Sequence, residues 1–167
     1  NFSKALLAYP TVTFIDAILA RFILEVMTKL LVSYIIFGGI MLLYDTRVTL
    51  DFPKILESFV LTSVLGLGLG TLMCYVFTRF PLFQKAWGIA TKPLFLISCI
   101  FFLLENMPEP YQSYLWYNPL VHVVGLMRAG FYPSYDAPYV SQLYVLSISG
   151  ISLVLGLLLL KRYHAEI

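Results

Sequence analysis

The sequence predicts an all-α membrane protein, and three observations carry that expectation. Of 167 residues, 60% are hydrophobic and only 12% are charged, where a soluble domain carries about a quarter. Mean hydropathy is +0.85, more apolar surface than a single globular core of this length could bury, so lipid must solvate part of it. Second, four apolar segments, residues 22–44, 55–77, 86–104 and 141–160, each approach the roughly 20 residues that a helix needs to cross ~30 Å of hydrocarbon. Helix is the expected form because an isolated span must satisfy every backbone N–H and C=O within itself. Third, the basic residues segregate. Lys4, Arg21, Lys29, Arg79, Lys85, Lys92, Lys161 and Arg162 fall on one side of this layout. Arg47, Lys54 and Arg128 fall on the other, among Asp45, Asp51, Glu57, Glu105, Glu109 and Asp136. By the positive-inside rule the chain starts and ends in the cytoplasm.

The cytoplasmic segment, residues 1–21, reads "NFSKALLAYPTVTFIDAILAR". Tyr9-Pro10 interrupts any helix, because the residue before proline is pushed out of the α region. Thr13 then caps a new helix, with Asp16 three residues on in a near capping box. Such an element is either an interfacial anchor or a docking surface for a soluble partner. The chain opens on Asn1 rather than Met, with no signal-peptide pattern before the first span, so the expectation is that it starts partway through a longer protein.

In the first span Glu25 and Lys29 sit one helical turn apart and read as a snorkelling pair at the cytoplasmic rim rather than a proton or ion relay. The second span holds "GLGLGT", Gly66 to Thr71. No lysine follows and no strand precedes, so it is not a phosphate-cradling loop. Thr62, Gly66, Gly70 and Cys74 instead recur every four residues as a small-residue face for close helix packing, within the chain or at an oligomer seam. No charge lies mid-membrane in the second or fourth span, which argues against proton- or sodium-coupled transport. The third span opens at Lys92-Pro93, where proline kinks or delays the helix, and continues as "LFLISCIFFLL". Cys74 and Cys99 lie in apolar runs and read as buried neutral thiols rather than metal or disulfide partners. A net charge of +2 gives no reason to expect nucleic acid.

Residues 106–135 are too interrupted to span and too apolar for a solvated loop. Asn118 is an expected N-cap with Pro119 at the first helical position, Gly130 an expected C-cap, and Pro110 to Tyr117 a further short turn. Two half-length helices between full spans predict a re-entrant hairpin in the outer leaflet. Its aromatics, Tyr111, Tyr114, Trp116, Tyr117, Phe131, Tyr132 and Tyr135, form either a lipid-facing belt or an aromatic-lined exit for an amphipathic or sugar-rich substrate.

Together "LLAYPTVTFIDAILARFILE", "KPLFLISCIFFLLENMP", "YNPLVHVVGLMRAGFYPSY" and the closing "LLLLKRYHAEI" resemble the membrane subunit of ABC-2-type polysaccharide exporters, the permeases for capsular polysaccharide and O-antigen. The resemblance covers essentially the whole chain. Its most specific element is Asn118, Pro119, Leu120 and His122 with Arg128 following. Two departures are Phe14, where the family often has proline, and Cys99, where a small residue is common. The resemblance implies a type V ABC exporter fold: six spans per subunit, of which this chain supplies four, plus the re-entrant outer hairpin and a cytoplasmic coupling helix. Tyr9, Pro10, Thr11, Thr13 and Asp16 would couple to a separate ATPase present in two copies, which carries ATP and Mg. No Walker motif occurs in this chain, and no cofactor of its own is expected. Tyr111, Tyr114, Trp116, Tyr117, His122, Arg128 and Tyr132 would line the channel exit. A second permease copy, lipid-linked polysaccharide, membrane lipid and periplasmic export components are the remaining implied partners, in the bacterial inner membrane. The alternatives are an ABC-2 permease for drugs or lipids, and a membrane-embedded glycosyl- or acyltransferase. The latter would have to draw its acids and bases from Glu105, Glu109, His122 and Asp136.

Overall fold

The computed structural model describes residues 14–43 and 49–165, and among them every regular element is helical. The chain divides into two units, residues 1–47 and 48–167. The first contributes α1, Phe14–Leu43, a 30-residue helix apolar on all sides, the pattern of a helix made for an apolar solvent. Its one described ion pair joins Arg21 to Glu25 at 2.5 Å. Glu25 thus pairs one turn back, with Arg21, and not one turn forward with Lys29.

The second unit is built on α2, Phe52–Arg79, and α6, Gln142–Ala165. Asp51 caps α2, its carboxylate accepting from the Lys54 N–H while also facing the Lys54 ammonium at 3.2 Å. The helix ends at Arg79, just before Pro81 opens α3, Pro81–Ile97. α1, α2 and α6 are each long and apolar enough to cross a membrane. α2 and α6 run parallel, Gly68 meeting Ser149 and Leu72 meeting Gly156. Both glycines are there for close approach. A Cβ on Gly68 would sit 2.3 Å from the Ser149 carbonyl oxygen, and one on Gly156 would sit 2.7 Å from the Leu72 nitrogen.

Within the chain, this contact falls on a different face from the Thr62, Gly66, Gly70 and Cys74 stripe, which leaves that stripe to the oligomer-seam alternative. The buried stripe of α2 is Ser58, Leu61, Leu65, Gly68 and Thr71, whereas a Cβ on Gly66 or Gly70 would meet nothing within 4 Å. The same rotation leaves Cys74 exposed while Cys99 is buried. Hydroxyls along the long helices are satisfied locally: Thr28, Thr62, Thr78, Ser147 and Ser149 each donate to the carbonyl four residues back, which spares each a search for a partner in an apolar medium.

α3 also differs from expectation. It begins at Pro81 and contains Pro93 in its last turns, so Pro93 does not mark its start. It ends at Ile97 rather than running to Leu104. Cys99 then takes a left-handed φ of 57°, and a single 3-10 turn, Leu104–Asn106, leads to two short helices, α4 (Tyr111–Trp116) and α5 (Pro119–Phe131).

Candidate functional site

The short helices form a cap at the end of the unit where both α2 and α6 begin. Asn118 sets it up. Its Oδ1 accepts from the Leu120 N–H at 3.1 Å, and Pro119 supplies a first-turn residue that has no N–H to satisfy. The amide Nδ2 of Asn118 is buried without a partner. Within the cap, α5 packs against α2 and α6 through Leu61, Leu65, Val123, Leu126 and Val145. Ser58 donates across to the Val123 carbonyl at 3.0 Å, and the Asp51 N–H donates to the Gly130 carbonyl at 2.9 Å. Gly130 is not a C-cap: the helix continues to Phe131, and no glycine among the described residues has positive φ. What Gly130 allows is the approach of α2, since a Cβ there would lie 2.7 Å from Ile55 Cγ1.

The sequence-derived exit residues separate into two groups. Tyr111, Tyr114, Tyr117 and Tyr132 present their rings to the surroundings, at 61%, 73%, 66% and 58% exposure. Trp116, His122 and Arg128 are turned to internal work. His122 is 1% exposed. Its Nε2 donates to the Trp116 carbonyl at 2.8 Å and its Nδ1 accepts from the Ser141 N–H at 3.2 Å. Those two partners specify the neutral ring with its proton on Nε2. Burial, the largest influence, pushes its pKa below the usual 6.5, against backbone hydrogen bonds that raise it. Trp116 packs against the rings of His122 and Tyr144 with centroids 5.1 and 5.0 Å away, and its Nε1–H donates to the Tyr139 carbonyl at 3.1 Å. The Tyr144 hydroxyl donates to the Tyr117 carbonyl at 2.7 Å.

Arg128 reaches from α5 to the break after α3. Its guanidinium donates to the carbonyls of Cys99 at 3.1 Å, Ile100 at 3.2 Å and Phe102 at 3.3 Å. Its central carbon lies 5.7 Å from the Tyr135 ring centroid, within cation–π range. Tyr135 in turn meets the Tyr139 hydroxyl at 3.2 Å. Tyr139, Ser141 and Tyr144 are thus structural members of the cap that sequence reasoning passed over. The aromatic spacing in "YDAPYVSQLY", running past the end of the quoted stretch, was the available signal. Glu105, Glu109 and Asp136 are exposed while His122 is interior, so the cap does not bring the expected acid and base candidates into one set. Of the coupling residues, Asp16 occupies the first turn of α1, where an acid complements the helix dipole; Tyr9, Pro10, Thr11 and Thr13 lie outside the described residues.

Three helices long and apolar enough to cross a membrane, with only helical elements among the described residues, define a helical membrane protein. Residues 1–132 match the ABC-2 type transporter family, and the chain belongs to that family. Among curated relatives, the polysialic acid transport protein KpsM of Escherichia coli is 34% identical over 159 residues, covering 95% of this chain and 62% of that protein. The capsule polysaccharide export inner-membrane proteins CtrC of Neisseria meningitidis and BexB of Haemophilus influenzae are each 28% identical, over 96% and 95% of this chain and 61% and 60% of their own lengths. The chain therefore spans about three-fifths of the relatives it matches.

Proposed function

We propose that this chain is part of the permease subunit of an ATP-driven exporter that moves lipid-linked polysaccharide, of the capsule or O-antigen type, across a bacterial inner membrane. The reading rests chiefly on one observation: similarity over at least 95% of the chain to three inner-membrane or transport proteins whose names specify polysialic acid or capsule polysaccharide. In this reading α1, α2, α3 and α6 are four spans. The ends rich in Arg79, Lys85, Lys161 and Arg162 face the cytoplasm, with the C-terminus, and the cap is a re-entrant hairpin on the outer side. Two permeases assemble with two ATPases, which hold ATP and Mg. Residues around Tyr9 to Asp16 dock on the ATPase and carry its closure to the spans, and periplasmic components receive the polymer.

At the exit, exposed Tyr111, Tyr114, Tyr117 and Tyr132 offer flat apolar faces. Such faces stack on the apolar sides of sugar rings without demanding one order of hydroxyls. Trp116 and His122 act one layer behind, fixing the surface that carries Tyr117. The test is a triple substitution of Tyr111, Tyr114 and Tyr117 to Ala in the full-length permease, with surface polysaccharide measured at matched permease levels. A drop of tenfold or more is expected, and unchanged export refutes the aromatic exit. Copurification of an ATPase with the tagged permease, lost when Tyr9 to Asp16 is scrambled, tests the coupling assignment separately.

A further inference from the structure

We propose that residues 98–104 are a two-state joint in which Arg128 is the latch: with its guanidinium in place the segment stays unwound, and without it the segment winds onto the end of α3. The break has no local cause. Leu94 to Leu104 reads "LFLISCIFFLL", without proline or glycine, and such a run continues a helix unless something outside it intervenes. What intervenes is Arg128. In a continued helix the carbonyls of Cys99, Ile100 and Phe102 would accept from N–H groups four residues on. Here all three point their oxygens at one guanidinium. Arginine suits this because its donors form a rigid planar fork that serves several acceptors at once. At membrane depth an unwound stretch is tolerated only where its backbone polar groups find protein partners.

The joint is also loaded. Cys99 holds a φ of 57°, a conformation L side chains rarely adopt and one that a helical turn would relieve. α3 buries none of its own residues, so little along its length opposes a change at its end. By contrast, Ser98, Cys99 and Leu104 just beyond it are buried, Cys99 and Leu104 against Val121 of α5. Arg128 itself is seated on α5, which is fastened to α2 by the Ser58 and Asp51 hydrogen bonds. The latch therefore fixes the end of α3 to the body formed by α2, α5 and α6. Releasing it lengthens α3 by up to seven residues, about 10 Å at the helical rise.

The test uses the full-length permease with Cys74→Ser and Cys99→Ser, spin-labelled at Phe83 and Phe101, which are both exposed, and pulsed electron–electron distance measurement. In the parent the two labels sit closer than a straight helix would place them. In Arg128→Ala the main distance lengthens toward the roughly 27 Å that eighteen helical residues span, and in Arg128→Lys, which keeps a cation but not the fork, both distances are populated. The parental distance in Arg128→Ala, or broadening without a longer peak, overturns the proposal. If Arg128→Ala does not fold, valine at position 99 decides in its place. The branched side chain of Cys99→Val opposes positive φ and must produce the long distance with Arg128 intact; the short distance there overturns the joint equally.

Discussion

Replacing Gly68 with alanine tests whether the α2–α6 seam is set by backbone contact. The added Cβ would stand 2.3 Å from the Ser149 carbonyl oxygen, with the Ser149 carbonyl carbon and Cα at 3.0 and 3.1 Å. All three are backbone atoms, so no side chain can swing aside, and the helices must part by about 1 Å to restore ordinary contact. Overpacking of this kind costs about 1–3 kcal/mol. A gap of 0.5–1 Å also forfeits roughly a quarter to a half of each dispersion contact along the seam. Against this stands a gain of about 1 kcal/mol from replacing glycine by alanine within a helix. The loss wins, by about 1–2 kcal/mol, which lowers the unfolding midpoint by roughly 3–6 °C for a protein of this size. Gly150→Ala, one residue from Ser149 on α6 but with nothing within 4 Å, keeps only the propensity gain and is neutral or stabilising. Thermal unfolding of the purified full-length permease in one detergent measures both. A Gly68→Ala protein as stable as the parent, or more so, would refute backbone contact as the determinant of this seam.

Substitutions at two further residues probe the cap. Because His122 is buried with its pKa below 6.5, its contribution to stability is complete above that pH. The contribution falls as the pH drops toward the lowered value, where the unfolded chain takes up the proton first. The midpoint measured from pH 8 to pH 5 should fall more steeply for the parent than for His122→Asn, and parallel slopes would exclude His122 as the titrating group. Asn118→Ala should cost about 1 kcal/mol through loss of the α5 cap. Asn118→Ser keeps an acceptor and removes the unpartnered Nδ2, so it should fall within a few tenths of the parent in the same unfolding assay.

Sequence reasoning reached what depends on composition and on short-range signals. The all-helical class followed from apolar run lengths, and the start of α5 followed from Asn118-Pro119, whose capping chemistry needs nothing distant. It faltered wherever a distant partner decides. Gly66 and Gly70 carry the better-known four-residue spacing, yet Gly68 takes the helix contact, because rotation of α2 is fixed by Ser149 and by α5, neither adjacent in sequence. Gly130 looked like a helix stop by type but serves the approach of Ile55, 75 positions away. The end of α3 at Ile97 had no marker in its own residues, since the arginine that meets the following carbonyls lies 26 to 29 positions downstream. His122 and Arg128 drew notice as polar groups in an apolar stretch. Only the fold assigns their hydrogen bonds to the protein's own backbone.

The hydroxyls that turn back on their own helices have a consequence for anything that packs against them. Thr28, Thr62, Thr78 and Ser147 commit their protons to the carbonyl one turn behind. In an apolar medium an uncommitted hydroxyl draws helices together through hydrogen bonds across the seam. By keeping their donors to themselves, these helices present sides whose packing rests on shape rather than on hydroxyl donors.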